Sequence, residues 1–276
     1  METLKILIPT DFSVQAEFAY LMVKRLEEKI AIDIHFLHVL NVPDTVSLDS
    51  SGHIQTCGEI DIKYVSQQKE IAERKLENLK VLYGDHIKTH LVLGKTTSAI
   101  LSFTESISFD LIVMGTKGAS GLKERFSGSE TQIVARKSST PLLSLMCDRS
   151  DLQIKNILLV HNFANPSSED LSLMHKLIKA FDTKMHLLQI VSAKSETEKT
   201  EADMDRFAEL NGIDNYERHL INDKDVENGV IHFNQMNNMD IVCIGTHGKG
   251  GFFHPSATEK LINHLFKPII SFHLKN

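Results

Sequence analysis

Gly115, Gly118, Gly128, Ser129 and Thr131 all fall within one stretch, VMGTKGASGLKERFSGSET, at residues 113–131. Such a set can cradle an anion. Glycine at 115 and 118 tolerates positive φ and lets a phosphate come close to the backbone. Gly128 and Ser129 open a helix, where unpaired N–H groups and the helix dipole favour negative charge. The Ser129 and Thr131 hydroxyls add hydrogen bonds, and Glu130 stands between them. Far away in the chain, Asp11 of ILIPTDFS is an acceptor suited to a ribose hydroxyl or an adenine amine. Together these residues point to a nucleotide. Lys117, Lys123 and Arg125 add nearby positive charge, although loop charges of this kind are more often simply solvated. The competing reading of the stretch is a plain flexible loop between a strand and a helix.

Other chemistries fail on spacing. HLVLGKTTS (90–98) copies the end of a G-x4-G-K-[ST] loop, but the first glycine would fall at position 89, which is Thr89. Gly94 instead ends a strand, and the two threonines are expected to cap the next helix. The 14 histidines include no H-E-x-x-H pair; the best metal cluster is His247 and His254 with Cys243, and strand alternation turns Cys243 away from them. His35 and His38 read as packed or solvated strand residues. There is no G-x-S-x-G elbow and no Ser/His/Asp assembly. Phosphoryl transfer needs a metal-holding carboxylate and a group that orients the attacker. Asp11 and Glu130 are the candidates, and neither has an evident partner. The chain therefore reads as a binder, with nucleotide hydrolysis weak at most.

The elements that must position these residues alternate along the chain. Apolar runs at 4–8, 32–40, 89–93, 111–114 and 142–146 have the look of buried parallel strands. Helical periodicity lies between them. SVQAEFAYLMVKRLEEK follows Thr10-Asp11 as an N-cap, YVSQQKEIAERKLENLKVLYG ends on Gly84 as a C-cap, and the apolar stripe of 71–82 faces the core. TTSAILSFTESIS and SETQIVARKSS are the remaining two helices. This order predicts an α/β fold with a doubly wound parallel sheet. In a five-stranded sheet of order 3-2-1-4-5 the winding reverses between strands 1 and 4, and ligands bind beyond the strand ends at that point. PTDFS and GTKG would then face each other across the crevice.

The chain also repeats itself. LKILIPTDFS matches IKNILLVHNFA at 154–164, DLIVMGTKG matches DIVCIGTHG at 240–248, and STPLLSLM matches FKPIISFHL at 266–274. Two tandem domains follow, 1–148 and 152–276, each with a five-stranded parallel sheet and helices on both faces. The second copy is about 20 residues shorter, mostly through loss of the polar insertion NVPDTVSLDSSGHIQTCGEID. Its strands are expected near 156–160, 184–191, 216–221, 241–244 and 268–272. There Asn162 replaces Asp11 and Val160-His161 replaces Pro9-Thr10, while Gly245 and Gly248 remain. Gly128-Ser129 becomes Ala257-Thr258 or Thr258-Glu259, so this site reads as degenerate. Phe252 and Phe253 could plug it or meet a partner.

The spacing Gly115-x2-Gly118-x9-Gly128-Ser129, with ILIPTDFS and LHVLNVP (37–43), resembles the ATP-binding branch of the universal stress protein family over both copies. The resemblance implies ATP (or ADP or AMP), with Mg²⁺ as a companion of the phosphates, at the strand 1/strand 4 crevice. Asp11 and Val39 would meet the base and ribose, and Pro9 and Thr10 would line the pocket. Met114, Gly115, Gly118, Gly128, Ser129 and Thr131 would wrap the ribose and phosphates. Glu130 departs from the apolar or small residue common there and faces either solvent or a phosphate. The resemblance further implies a stress-response regulator. It also implies pairing through the last strands, here 142–146 with 268–272 inside one chain, or a homodimer. A slow ATPase or a phosphoryl or nucleotidyl transferase, and a nucleotide-free scaffold, are the alternatives.

Totals narrow the setting. The 276 residues suffice for two cores, with 42% hydrophobic and 24% charged residues. No apolar run reaches about 18 residues, so no membrane partner is expected. METLKILIPTDFS lacks the basic start of a signal peptide. Three unpatterned cysteines suit the reducing cytoplasm. The net charge of −6, about −2 before residue 150 and −4 after, forms no basic stripe and argues against nucleic acid. The protein partner is unknown from sequence.

Overall fold

The computed structural model describes residues 3–116, 130–191, 197–245 and 255–272. Its first half runs β1 (Leu4–Pro9), α1 (Val14–Glu27), β2 (Ile32–Leu40), β3 (Val46–Leu48), β4 (Ile54–Thr56), α2 (Ile62–Tyr83) and β5 (Lys88–Leu93). It continues with α3 (Thr96–Ser106), β6 (Leu111–Gly115), α4 (Glu130–Lys137) and β7 (Leu142–Leu145). The second half runs β8 (Asn156–Val160), α5 (Ser172–Phe181), β9 (Lys184–Val191), α6 (Thr197–Leu210) and β10 (Tyr216–Asn222). It ends with α7 (Val226–Asn237), β11 (Ile241–Gly245), α8 (Pro255–His264) and β12 (Ile269–Phe272).

One sheet holds ten of these strands in the order β10-β9-β8-β11-β12-β7-β6-β1-β2-β5. Within each half all neighbours are parallel, and the half-sheet reads third, second, first, fourth, fifth strand. The halves meet through β7 and β12, which pair antiparallel with Ile270 opposite Leu143. The strands of the two halves therefore run in opposite directions, and their crevices open at opposite ends of the sheet.

Both sheet faces are covered, which explains why the strands are continuous apolar runs rather than alternating ones. Ala19, Tyr20, Met22, Val23 and Leu26 of α1 share one core with Leu177 and Phe181 of α5 and Phe207 of α6. Ile100, Val134, Val230, Phe233, Leu261 and Ile262, from α3, α4, α7 and α8, build the other. Each core draws on both halves. Asp110 and Asp240 play matching roles at the strand ends. Asp110 Oδ2 accepts from Lys5 N at 2.8 Å, and Asp240 Oδ2 accepts from Lys155 N at 2.8 Å.

Three local expectations need correction, and the polar insertion, to which no element was assigned, has structure of its own: β3 and β4 form a hairpin, and Val42, Val46 and Val65 make a small core beneath it. Asp49 closes its turn by accepting from Ser51 N and His53 N, both at 2.9 Å. The N-cap of α1 is Ser13, whose Oγ accepts from Ala16 N at 3.4 Å, whereas Thr10 and Asp11 tie the preceding turn. Lys95 takes the cap position of α3 without a side-chain bond, so Thr96 and Thr97 lie inside the helix. On α2 the core-facing residues are Val65, Ala72 and Leu76, while Val81 and Leu82 point outward at 79% and 71% exposure.

Candidate functional site

The reversal of winding between β1 and β6 produces a cavity of about 220 Å³ at the carboxyl ends of the strands. Pro9, Thr10, Asp11, Val39, Met114, Gly115, Glu130 and Thr131 all line it. Residues more than 100 apart in sequence are thus brought together by β1, β2, β6 and α4. Gly118, Gly128 and Ser129 lie outside the described residues, as do Lys117, Lys123, Arg125, Phe252, Phe253, His247, Gly248 and His254.

The turn after β1 sets the polar end of the cavity. Thr10 N donates to Leu37 O at 2.8 Å, and Thr10 Oγ1 accepts from Phe12 N at 3.0 Å. Asp11 Oδ1 accepts from Ser13 N at 2.9 Å, an Asx turn that fixes the carboxylate at the mouth. Phe12 takes the left-handed conformation, φ 63°, which swings the chain directly into α1. The first turn of α1 consequently borders the cavity through Ser13, Gln15 and Ala16. Leu37, Val39, Ile100 and Met114 form an apolar wall. A flat apolar ring matches that wall, and a hydroxylated group matches the Asp11 end.

Two residues sit in the cavity for reasons other than those read from sequence. Gly115 is not among the glycines with positive φ. Its hydrogen stands where a Cβ would come within 2.0 Å of Gln15 O, so its absence of a side chain lets α1 pack onto the end of β6. Thr131 is buried, and its Oγ1 donates to Gly115 O at 3.4 Å, tying α4 to β6 rather than leaving its proton for a ligand. His38, read from sequence as a packed or solvated strand residue, is packed, but its place in the cavity lining was not foreseen. Its Nδ1 donates to Thr10 O at 2.7 Å and its ring lies 4.5 Å from that of Phe12, so it braces the turn from inside the cavity. Its position one residue before Val39 on β2 was the available signal. His35, by contrast, is buried away from the cavity, against His90.

The charge balance of the lining is acidic. Asp11 and Glu130 both face it, and no Lys or Arg is among the described lining residues. Glu130 starts α4, where a carboxylate is favoured by the helix dipole.

The equivalent place in the second half is built differently. Asn162 Oδ1 accepts from Ala164 N at 3.2 Å, as Asp11 does from Ser13, but α5 begins only at Ser172. The helix start is thus ten residues past Asn162, against three past Asp11 in the first half. His161 packs against Phe163 and Phe207, with ring centroids 5.1 and 5.0 Å away. Its Nδ1 is buried with no partner among the described residues, and burial pushes its pKa down to about 4. Strand register also corrects the alignment of the glycine pair. Ile112 opposes Leu142 and Val242 opposes Ile269, so three fewer residues separate β11 from β12. Thr258 then matches Thr131, and Pro255-Ser256 stand where the first half has Gly128-Ser129.

A sequence profile of the universal stress protein family matches residues 2–145. Universal stress protein MJ0577 of Methanocaldococcus jannaschii is 32% identical over 149 residues, which is 50% of this chain and 92% of that protein. Universal stress protein MJ0531 of the same organism is 27% identical over 139 residues, 50% of this chain and 79% of that one. Over the whole length, the crystal structure of a universal stress protein from Archaeoglobus fulgidus superposes with a TM-score of 0.71 at 18% identity. It covers 99% of this chain and 97% of its own, a likeness of fold.

Proposed function

Because the chain belongs to the universal stress protein family, we propose that it is an adenine-nucleotide-binding regulator of the stress response, holding ATP (or ADP or AMP) in its N-terminal half. The observation that carries this reading is the cavity at the β1/β6 crevice, which collects eight of the residues chosen for a nucleotide. Its volume, about 220 Å³, is below the roughly 300–1,000 Å³ of clefts for larger ligands. The cavity accordingly takes the nucleoside. Adenine lies on the wall of Val39 and Met114, with Pro9 and Thr10 at its edge, and the ribose hydroxyls donate to the free oxygen of Asp11. The phosphates fall to Gly115, Gly118, Gly128 and Ser129, where main-chain N–H groups can meet them. Mg²⁺ accompanies the phosphates and offsets the acidity of Asp11 and Glu130.

In this reading residues 1–148 are the nucleotide domain and residues 152–276 a domain with a degenerate site. His161, Asn162 and Pro255 stand there in place of Thr10, Asp11 and Gly128. The protein is a binding module that passes nucleotide occupancy to a protein partner, with ATP hydrolysis at most weak. It works in the cytoplasm; among the described residues no helix is long and apolar enough to cross a membrane.

The test is to denature the purified protein and identify released nucleotide by chromatography and mass. About one equivalent of ATP or ADP per chain is expected, lost in Gly128→Val and in Asp11→Ala. Release of nothing, together with no thermal shift on adding ATP, overturns the proposal.

A further inference from the structure

Each half stacks a buried histidine on a partly buried one, and the polar groups around the two pairs are arranged differently. In the first half His35 Nδ1 and His90 Nε2 lie 3.0 Å apart, with ring centroids 5.1 Å apart and planes 14° from parallel. In the second, His186 Nδ1 and His219 Nε2 lie 2.9 Å apart, with centroids at 5.2 Å and planes at 17°. The strand register makes the comparison strict: His35 stands opposite Lys88, and His186 opposite Glu217. The cross-strand ion pair is reversed between the halves. Lys88 Nζ binds Asp33 Oδ2 at 2.8 Å in one, whereas Lys184 binds Glu217 Oε1 in the other. At the cross-strand position opposite His35 there is therefore an ammonium, and opposite His186 a carboxylate; the carboxylate of the first half, Asp33 Oδ2, lies 3.1 Å from His35 Nε2, the ring nitrogen that does not meet His90.

That carboxylate has its other oxygen turned to the rings. Glu217 Oε2 lies 3.6 Å from His186 Nδ1 and 3.8 Å from His219 Nε2. We propose that His186, Glu217 and His219 form a binding site for a divalent transition-metal ion of the zinc class. A triangle with sides of 2.9, 3.6 and 3.8 Å has a circumradius of about 2.0 Å. One point thus lies at that distance from all three donors, and ordinary Zn–N and Zn–O lengths are about 2.0–2.2 Å. Two imidazoles and a carboxylate are a donor set suited to zinc and its neighbours.

The surroundings supply what such a site requires. Asn156 Oδ1 lies 3.1 Å from His186 Nε2 and accepts its proton, which leaves the Nδ1 lone pair facing the other two donors. Neutral imidazole is the form that ligates. The metal takes the place of the proton on His219 Nε2, which passes through solvent to His219 Nδ1, so both rings ligate as neutral imidazoles. The Glu217 side chain is half-exposed, so water can complete a fourth position. Because β10 is the edge strand of the sheet, the ion would clip it to β9.

The first half serves as an internal control. It has the same ring pair, but Lys88 puts a positive charge where the second half has Glu217, and no metal is expected there. The experiment strips the full chain with a chelator, then titrates Zn²⁺ in competition with a chromophoric chelator. One tight equivalent is expected for the native protein and for His90→Ala. Glu217→Gln and His219→Ala should bind at least about tenfold more weakly. Glu217 is exposed enough for its variant to keep the fold, which the metal-free melting curve checks. Zn²⁺ should raise Tm in the native protein and not in Glu217→Gln. Absence of tight zinc binding, unchanged binding in the Glu217 and His219 variants, or loss of binding in His90→Ala would each overturn the proposal.

Discussion

Single residues in this protein carry more than one duty, and their types alone do not say which. Asp11 and Thr10 were legible as residues of the crevice because they directly follow a strand that ends at a winding reversal, and both line the cavity. Thr131 was legible as a hydroxyl near the site, but its partner, Gly115 O, depends on where α4 docks. His161 shows the opposite case. It occupies the position of Thr10, yet it lies between two phenylalanine rings with Nδ1 buried. Burial lowers its pKa from about 6.5 to about 4, so the folded state binds fewer protons than the unfolded one between those values. Stability is then fully present above about pH 6.5 and is lost as pH falls towards 4. At pH 5 the loss is roughly 2 kcal/mol, from a shift worth about 1.4 kcal/mol per unit. His161→Leu removes both the titration and the unpartnered nitrogen. Urea denaturation at pH 7 and pH 5 should show the variant more stable than the native chain at both, with the gap wider at pH 5. Equal pH slopes in the two proteins would show that the burial of this ring is not felt.

At the scale of elements, periodicity located every strand of the main sheet and the four helices of the first half to within a residue or two, because both faces are buried and the runs are unbroken; the helices of the second half were legible only as lying between its strands. What it missed was short or depended on contact. The strands β3 and β4 have three residues each and bury little, so their pattern merges with the polar insertion around them. The outward face of α2, with Val81 and Leu82, broke the apparent stripe because apolar residues are not all inside. The sharpest case is the contact of α1 with β6. The glycine at 115 was legible as a need for close approach, but the group that approaches is the Gln15 carbonyl. Gly115→Ala forces a Cβ to within 2.0 Å of that oxygen, so α1 must lift from the sheet. Overpacking of this kind costs about 1–3 kcal/mol, and the backbone partner puts it at the upper end. The ligand-free protein should melt several degrees lower, whereas Gly128→Val, aimed at phosphate contact, should leave the ligand-free Tm nearly unchanged. If Gly115→Ala melts with the native protein, the packing account of this glycine fails.

The whole molecule is organised around one antiparallel seam in an otherwise parallel sheet. Repetition of sequence made two halves legible, and the aggregation hazard of an open edge strand gave a motive for joining them. The register of the seam was not legible, because four-residue apolar strands such as LLSL and IISF pair in several ways with equal hydrophobic gain. Serines set a preference within it. Ser144 Oγ donates to Ile269 O at 3.5 Å, and Ser271 Oγ donates to Leu142 O at 3.4 Å, a reciprocal pair across the seam. Arg149 adds a hydrogen bond to Phe266 O, and Arg25 Nε donates to Leu152 O at 2.6 Å. Both hydrophobic cores continue through the seam, with Leu143 and Ile270 in one and Leu142 and Ile269 in the other. A chain cut to residues 1–148 would leave β7 as an open edge with its buried flank uncovered. Its own β7 is the nearest substitute for β12, since the two strands present the same apolar pattern with a serine in the third position. Sedimentation of that fragment at micromolar concentration should therefore give a dimer, while the full chain, with the edge already filled, remains a monomer and unfolds in one transition. A monomeric fragment with a native-like melt would mean that the seam joins two finished domains, and that the shared cores contribute little to either.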